Sequence, residues 1–439
     1  MALYSGVLKK VVLPAGDRLM KTSLSSCYEK IKEMRGYSPE EIAQWQDLRV
    51  RKLLHHAYFR TRYYRKLFDE LGLHPDDIKS RDDVNKLPIL DKSTVLAYFD
   101  QIISDNIDYI PHKVSATGGS TGDPMPYLLD HDSWSFSNAN SIINWEKTGY
   151  KYGDKYLALG STSLFINKKE SLKHKIYYAL KNKVARNGIN MSESVCMEYM
   201  ALIKKKKIRF IYGYASSIYL LAKHVLEQNE KVRLVACITT AEILTDQYRK
   251  TISEAFQCKI LDAYGAHDGG ITAFSHEKGF YETGYNCLVR VEKKEINGQG
   301  AALLTDLTNF AMPLINYKLG DELQIDDTKN AGYPYNGQII NKVLGRTSDI
   351  IELENGSTLT GPGFTILFKD LPVEHYCIEK TDVNEITCSI IKLPQYDQGH
   401  ENLIRSTFIK HIGEDAGLRI EYMTEVPLTN SGKRVYFKK

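Results

Sequence analysis

Between Tyr156 and Asp262 short apolar runs alternate with stretches of helical periodicity, and no other feature of the chain narrows its fold as much. Tyr156 to Gly160, Ile208 to Tyr212, Arg233 to Ile238 and Lys259 to Asp262 have the length and apolarity of buried strands. Glu170 to Lys183, Ser216 to Gln228 and Asp246 to Phe256 read as the helices between them. Strand and helix alternating in this way predict an α/β domain whose sheet is mainly parallel. In such sheets a ligand lies beyond the carboxyl ends of the strands. Side chains with chemistry are therefore expected in Gly213 to Ser217, Thr239 to Glu242 and Tyr264 to Gly270, which follow the strands.

The flanks of this core differ from it. Upstream, Ser38-Pro39-Glu40-Glu41 spells a capping box with proline at the first helical position, and Ile42, Trp45 and Leu48 follow at helical spacing. Tyr58, Tyr63, Tyr64 and Phe68 then form a stripe that reads as core-facing rather than base-stacking. After Cys287 the pattern is strand-rich, with Leu288 to Val291, Ala301 to Thr305 and Gln338 to Ile340. Past Arg346 come a hairpin around Asn355-Gly356, a helix near Phe364 to Leu371, strands near His375 to Glu379 and Glu385 to Ile391, and a helix near Glu401 to His411. A length of 439 residues accommodates two or three domains. The expected division is a large domain over 1–344, with a helical N-terminal part, an α/β core and a β-rich part from about 287, followed by a small α+β domain over 345–439.

Composition removes several classes of function. Lys and Arg number 58 against 54 Asp and Glu, so the net charge of +4 is too small to argue for nucleic acid. Every apolar stretch is interrupted short of the roughly 20 residues that a membrane-spanning helix needs. Lys9 and Lys10 interrupt the apolar N-terminus, with no cleavage site after it, so a packed or frayed terminus is expected rather than a secretory signal. The 7 cysteines include no C-x-x-C pair and fit reduced thiols in a cytoplasmic protein. No H-E-x-x-H suggests a zinc site, and Lys204 to Lys207 reads as a solvated turn.

Five segments carry candidate chemistry. In Ser115 to Pro124, Gly118, Gly119 and Gly122 interleave with Thr117, Ser120 and Thr121, which suits a loop whose N–H and O–H groups converge on phosphate oxygens. No Gly-Lys-Ser/Thr ends it, so it is not a Walker A loop; Gly118-x-Ser120-x-Gly122 also spells a hydrolase nucleophile elbow. Thr239 to Glu242 and Asp262 to Gly270 both follow predicted strands. There Tyr264 is placed to stack on a purine, and Asp268 to hold Mg²⁺ beside substrate phosphates. In Pro313 to Asp321, an aspartate fixed by Gly320 can accept both hydroxyls of a ribose diol. Gly345-Arg346 marks the domain boundary, and Gly432-Lys433 lies on a terminal loop after Pro427.

Taken in order over nearly the whole chain, these segments resemble the adenylate-forming superfamily of acyl-CoA ligases, luciferases and peptide-synthetase adenylation domains. The resemblance is strongest to the phenylacetate-CoA ligase branch and its relatives encoded with capsular polysaccharide genes. It implies that Thr117 to Gly122 is the phosphate loop, with Asp123 where lysine is common. It implies an ATP or AMP site made with Ala241, Glu242, Asp262, Tyr264, Gly265, Asp321 and Arg346, and Lys433 as the catalytic lysine of a mobile C-terminal domain. Asp268 stands at the family's usual glutamate as the Mg²⁺ residue, and Ser348 at its usual hinge aspartate, with Asp349 one place later. By position and resemblance, Tyr212, Gly213, Tyr214, Ala215, Ala266 and His267 would wall the acyl pocket.

The implied reaction is ATP-dependent activation of a carboxylic acid to an acyl-adenylate, releasing pyrophosphate, then transfer to CoA or to another thiol or amine. Tyr214 and His267 suit a hydroxylated or amino acid. Two alternatives stand beside it: a serine hydrolase acting through Ser120, and a noncatalytic relative that binds ATP without releasing pyrophosphate.

Overall fold

The computed structural model describes residues 2–117, 125–160, 182–188, 191–292, 298–325, 335–346, 350–352, 358–360, 368, 371–382, 385–412, 417–428 and 434–438. Its centre is an eight-stranded sheet. Tyr156–Gly160 (β3), Lys183–Asn187 (β4), Phe210–Tyr214 (β5), Ala236–Thr240 (β6) and Lys259–Ala266 (β7) run parallel in the order β4-β3-β5-β6-β7. Ile271–Ser275 (β8), Tyr281–Thr283 (β9) and Ile339–Ile340 (β13) extend it antiparallel beyond β7. The mainly parallel α/β sheet expected from the alternation is thus present.

Helices cover both faces because the strands are apolar on both. One face carries Ile211, Cys237, Ala215, Ile218, Tyr248 and Ile252 in a core under helices Glu193–Lys206, Ala215–Glu227 and Asp246–Phe256. The other carries Phe210, Ala236, Ile238 and Leu261 with Tyr150, backed by Trp145 of helix His131–Glu146.

The strands differ from their expected bounds in an instructive way. β5 runs to Tyr214 and β7 to Ala266, through Gly213 and Gly265, which were read as loop residues after strands ending at Tyr212 and Asp262. A Cβ on Gly213 would lie 2.2 Å from the Leu159 carbonyl oxygen, so glycine here permits the close approach of β3 and β5. Residues 161–181, which hold most of the expected helix Glu170 to Lys183, lie outside the described residues, and Lys183 itself opens β4. Lys204 to Lys206 are the last turn of a helix rather than a turn, with Lys207 capping it at φ 51°; cations there oppose the negative end of the helix dipole.

Upstream, the capping box forms as read: Ser38 Oγ accepts from Glu41 N at 3.2 Å and Glu41 Oε2 accepts from Ser38 N at 2.7 Å, opening helix Pro39–Arg60. Ile42 is buried and Trp45 stacks on Phe136, but Leu48 is exposed. Tyr64 and Phe68 enter the core, with Tyr58 and Tyr63 half-buried against it. Leu8 and Leu13 pack the N-terminus into a further core cluster.

A second sheet of four strands holds Cys287–Glu292 (β10), Gln299–Asp306 (β11), Tyr317–Gln324 (β12) and Lys342–Arg346 (β14), all antiparallel. β14 runs through Gly345 and Arg346, where the boundary between the two expected domains was read. Ile350–Glu352 (β15) and Thr358–Thr360 (β16) pair antiparallel as the arms of the expected hairpin. Of the expected helix Phe364 to Leu371, only Phe368 is helical among the described residues. The last sheet joins Val373–Asp382 (β17) and Glu385–Lys392 (β18) to Gly417–Tyr422 (β19) and Phe437–Lys438 (β20), around a core of Ile378, Ile386, Ile390, Ile404 and Phe408. Ile404 and Phe408 come from helix Gln398–Ile412, where a helix was expected. Among the described residues, no helix is long and apolar enough to cross a membrane.

Candidate active site

His112–Ala116 (β1) and Pro126–Asp130 (β2) pair antiparallel, with His112 opposite Asp130 and Ala116 opposite Pro126. The glycine-rich segment therefore connects two strands. Thr117 closes its near end: its N–H donates to the Met125 carbonyl and its Oγ1 accepts from Met125 N, both at 2.9 Å. Gly118, Gly119, Ser120, Thr121 and Gly122 lie outside the described residues, as does Lys433.

This hairpin meets the end of β7. Met125 is wholly buried beside Tyr317 of β12, whose hydroxyl lies 3.8 Å from Met125 Sδ and donates to Asp268 Oδ2 at 3.4 Å. Tyr127 of β2 hydrogen-bonds Ser115, and burial with the Asp268 charge pushes its hydroxyl up to about 12. From the same side, crowding by surrounding atoms and the Lys113 charge hold His267 down to about 4, although its ring reaches solvent. Thr117, at the near end of the glycine-rich segment, is thus linked through Met125 and Tyr317 to Asp268, the neighbour of His267 in the chain.

Tyr264 and Asp321 also meet. The Tyr264 hydroxyl donates to Asp321 Oδ2 at 2.8 Å, joining the end of β7 to β12, and burial with this carboxylate raises the phenol well above its ordinary value. Asp321 follows Gly320, whose φ of 88° admits glycine readily, and pairs in register with Arg346 across β14. Gly320 and Asp321 lie within β12, an irregular strand with a register shift between Glu322 and Leu323.

Beyond β6, Ala241 holds φ 66°, an unusual conformation for a residue with a Cβ and a sign of local constraint. Glu242 Oε2 accepts from Ser216 N at 2.8 Å, setting a carboxylate on the first turn of helix Ala215–Glu227. Its Oε1 is buried with no hydrogen-bond partner among the described residues.

Three expected site residues do not reach an open surface. Asp262 is buried between Thr239 Oγ1 at 2.5 Å and the Tyr281 hydroxyl at 2.6 Å, while its N–H donates to Ser275 Oγ. Burial raises its carboxyl, and its oxygens serve the sheet interior rather than a nucleotide. Tyr214 is 2% exposed and Ala215 0%, because β5 extends further than expected and turns directly into a helix. They pack the core rather than wall an acyl pocket. Tyr212 packs on Trp145 with centroids 5.0 Å apart, hydrogen-bonded to Thr240. Gly213 serves the β3–β5 approach, and Gly265 and Ala266 end β7 beside His267.

The glycines after Asp268 have a packing reason. A Cβ on Gly269 would lie 2.4 Å from Leu304 Cδ1, and one on Gly270, at φ 68°, 2.3 Å from Asp306 Cγ. Tyr317, Tyr127, Met125 and Lys113 were missed as site residues. Tyr317 lies inside a segment already singled out, Met125 adjoins the glycine-rich one and Lys113 stands two residues before it, whereas Tyr127 is set further off.

Asp268 supplies a single carboxylate, and no group of three or more His, Cys, Asp or Glu that could hold a metal occurs among the described residues. That donor set suits an Mg²⁺ that arrives on substrate phosphates and needs only one or two protein carboxylates. It does not suit an all-protein cage.

No family model matches the chain. Protein CapK of Staphylococcus aureus is 22% identical over 417 residues, covering 93% of this chain and 91% of that one. The phenylacetate-coenzyme A ligase of Pseudomonas putida is 25% identical, covering 72% and 73%. Among solved structures, a 2-hydroxyisobutyryl-CoA ligase in its postadenylation state with 2-HIB-AMP matches with a TM-score of 0.66 at 16% identity, over 90% of this chain and 88% of that one. The same ligase in an open conformation with 2-HIB-AMP and CoA matches with 0.58 at 15%, over 90% and 91%. The chain is thus similar in sequence to CapK over nearly its whole length and to a phenylacetate-coenzyme A ligase over about seven tenths of it, and it has the fold of the 2-hydroxyisobutyryl-CoA ligase.

Proposed function

We propose that this protein activates a carboxylic acid with ATP. A carboxylate oxygen attacks the α-phosphorus, a new O–P bond forms, the bond to the bridging oxygen breaks, and pyrophosphate leaves with that electron pair. The acyl group then passes from AMP to CoA or to another thiol or amine. The observation that carries this reading is the meeting of two pairs at one sheet edge: Tyr317 with Asp268 beside Thr117 and Met125, and Tyr264 with Asp321.

Each residue has a role that its surroundings support. The Tyr264 ring is the base platform and Asp321 the diol acceptor, held in place by the Tyr264 hydroxyl. Ala241 and Glu242 line the base, with Arg346 opposite Asp321. The resemblance gives the N–H and O–H groups of 117–122 the role of holding the departing phosphates, and Lys433 that of the cation for carboxylate and phosphate; apart from Thr117, these residues lie outside the described ones. Asp268 would hold Mg²⁺, which neutralises phosphate charge when bound. His267, open to solvent, meets the acyl group with Gly265 and Ala266. No protein nucleophile is needed, so catalysis rests on positioning and electrostatic stabilisation.

The hydrolase alternative loses its geometric basis. A nucleophile elbow is a sharp strand-to-helix turn, whereas residues 118–124 connect two antiparallel strands. The test is exchange of labelled pyrophosphate into ATP across a panel of aryl, hydroxy and amino acids. Acid-dependent exchange is expected; ATP binding without exchange for any acid would instead identify a noncatalytic relative.

A further inference from the structure

Cys237 and Cys258 are not among the residues placed at the nucleotide, yet they bring two thiols into contact. Cys237 is the second residue of β6 and is wholly buried, whereas Cys258 lies just before β7 and is partly exposed. Their sulfurs share a hydrogen bond at 3.7 Å. Both are free thiols.

Strand register makes this contact. β6 and β7 run parallel with Ala236 opposite Lys259 and Cys237 opposite Ile260. Side chains alternate across a strand, so Cys258, two residues before Ile260, points to the same face as Cys237 and lies diagonally from it. Helix Asp246–Phe256 covers that face, and both cysteines join the core beneath it with Ile252 and Phe256. The helix ends at Phe256, Gln257 turns the chain with φ 46°, and Lys259 N donates to the Val235 carbonyl at 3.2 Å. Cys258 is thus held at the rim of the core, with solvent on one side and the buried thiol on the other.

The two thiols differ in chemistry as well as in access. Burial pushes Cys237 well above its ordinary value and keeps its proton on, while the hydrogen bond with Cys237 lowers Cys258. The thiolate is the reactive form, so the sulfur that solvent reaches is also the better nucleophile. Cys27 gives the contrast. It too is partly exposed, but its sulfur lies 3.5 Å from Ser23 Oγ rather than beside a second thiol, and burial pushes it up to about 11.

We propose that Cys237 and Cys258 form a peroxide-sensitive modification site, with Cys258 as the attacking thiol and Cys237 as the resolving one. The Cys258 sulfur attacks one oxygen of the peroxide, the O–O bond breaks, the other oxygen leaves as water, and Cys258 becomes a sulfenic acid. The Cys237 sulfur then attacks the Cys258 sulfur, the S–O bond breaks, and the hydroxyl leaves as water with the Cys237 proton. In sum the two thiols give up two electrons and two protons, and hydrogen peroxide is reduced to two waters. A disulfide holds its sulfurs about 2.0 Å apart. The movement falls to Cys258, which precedes the strand ladder, rather than to Cys237, which is paired within it on both sides. The bond joins the start of β6, which leads to Ala241 and Glu242, to the start of β7, which carries Tyr264. The inference stands independently of the adenylating reaction.

The experiment treats the folded protein with a small excess of hydrogen peroxide, caps the remaining thiols with N-ethylmaleimide and maps the peptides without reduction. The expected product is a peptide pair joined through Cys237 and Cys258, two hydrogens lighter than its halves and parted again by dithiothreitol, with Cys27 in no such link. In Cys237→Ala the Cys258 sulfenic acid has no resolving partner, so its dimedone adduct should rise at least about tenfold over the parent. In Cys258→Ser, Cys237 should remain a thiol, because peroxide does not reach it. A parent map in which Cys237 and Cys258 stay unlinked, whether Cys258 remains a thiol or is carried on to sulfinic acid, overturns the proposal. Oxidation of Cys237 in Cys258→Ser overturns it as well. The parent map needs no substitution, so it decides the matter even where a variant fails to fold.

Discussion

Replacing Asp321 by asparagine keeps the shape of the proposed diol acceptor, removes its charge and turns one acceptor oxygen into an NH2 donor. Asp321 Oδ2 accepts from the Tyr264 hydroxyl at 2.8 Å, which sets the carboxylate that a ribose diol would engage. A hydrogen bond to a charged acceptor contributes about 1.5 to 3 kcal/mol and one to a neutral acceptor about 0.5 to 1.5, so each diol bond should weaken by about 1 kcal/mol. Two such bonds give about 2 kcal/mol, or a Kd for AMP raised about 30-fold. Tyr264→Phe keeps the ring and removes only the donor that holds Asp321, so it should raise the Kd by no more than about fivefold. Together the two changes should be non-additive, because they share one bond. Calorimetric titration of AMP reads the affinities, with circular dichroism confirming that each variant is folded. Asp321→Asn binding AMP within about twofold of the parent would refute the diol assignment, as would a larger loss for Tyr264→Phe than for Asp321→Asn.

Further outcomes follow from other parts of the fold. Lys433→Ala should depress exchange by about 10² to 10³ while leaving folding and AMP binding intact, measured by the exchange assay and titration. Ser120→Ala should not abolish labelling by a fluorophosphonate, because the parent protein should not label there at all; stoichiometric labelling lost in the variant would restore the hydrolase reading. Gly213→Ala should cost at least about 1 to 3 kcal/mol, since its Cβ would meet the Leu159 carbonyl oxygen at 2.2 Å, and a thermal melt unchanged from the parent would contradict that packing. His375 is buried, and burial with the Arg434 charge holds it down to about 3, so the unfolded chain takes up its proton first as pH falls. That contribution to stability is therefore complete above about pH 6.5 and is lost progressively towards pH 3, by about 2 kcal/mol at pH 5. His375→Gln should flatten the fall in melting temperature between pH 6.5 and 5, and an unchanged slope would contradict the assignment.

The parallel core was legible because buried strands and amphipathic helices differ in period, and β3, β6 and the two helices after β5 and β6 stand close to where the pattern puts them. What misled was glycine. Gly213 read locally as the first residue beyond a strand, yet it lies inside β5 because the Leu159 backbone needs the space a Cβ would fill. Ending that strand at Tyr212 moved Tyr214 and Ala215 on paper into a loop, when their surroundings are core. Gly320 hid β12 in the same way, since a positive φ and a register shift look like a turn until the partner strands are known. β1 is half-exposed along its length and β20 spans two residues, so neither offers an apolar period to read. Within the site, Tyr264, Asp268 and Asp321 were legible as residue types in sequence order. Their linkage through Tyr317 and Met125 was not, because it depends on contacts across 49 and 192 residues of chain.

The central claim is that these elements surround one mononucleotide, and a crystal structure with AMP tests it most directly. The account predicts the base against the Tyr264 ring beside Ala241 and Glu242, the ribose hydroxyls on Asp321, and the phosphate between Thr117 and Asp268. AMP bound at another surface, with Tyr264 and Asp321 still joined and untouched, would contradict it.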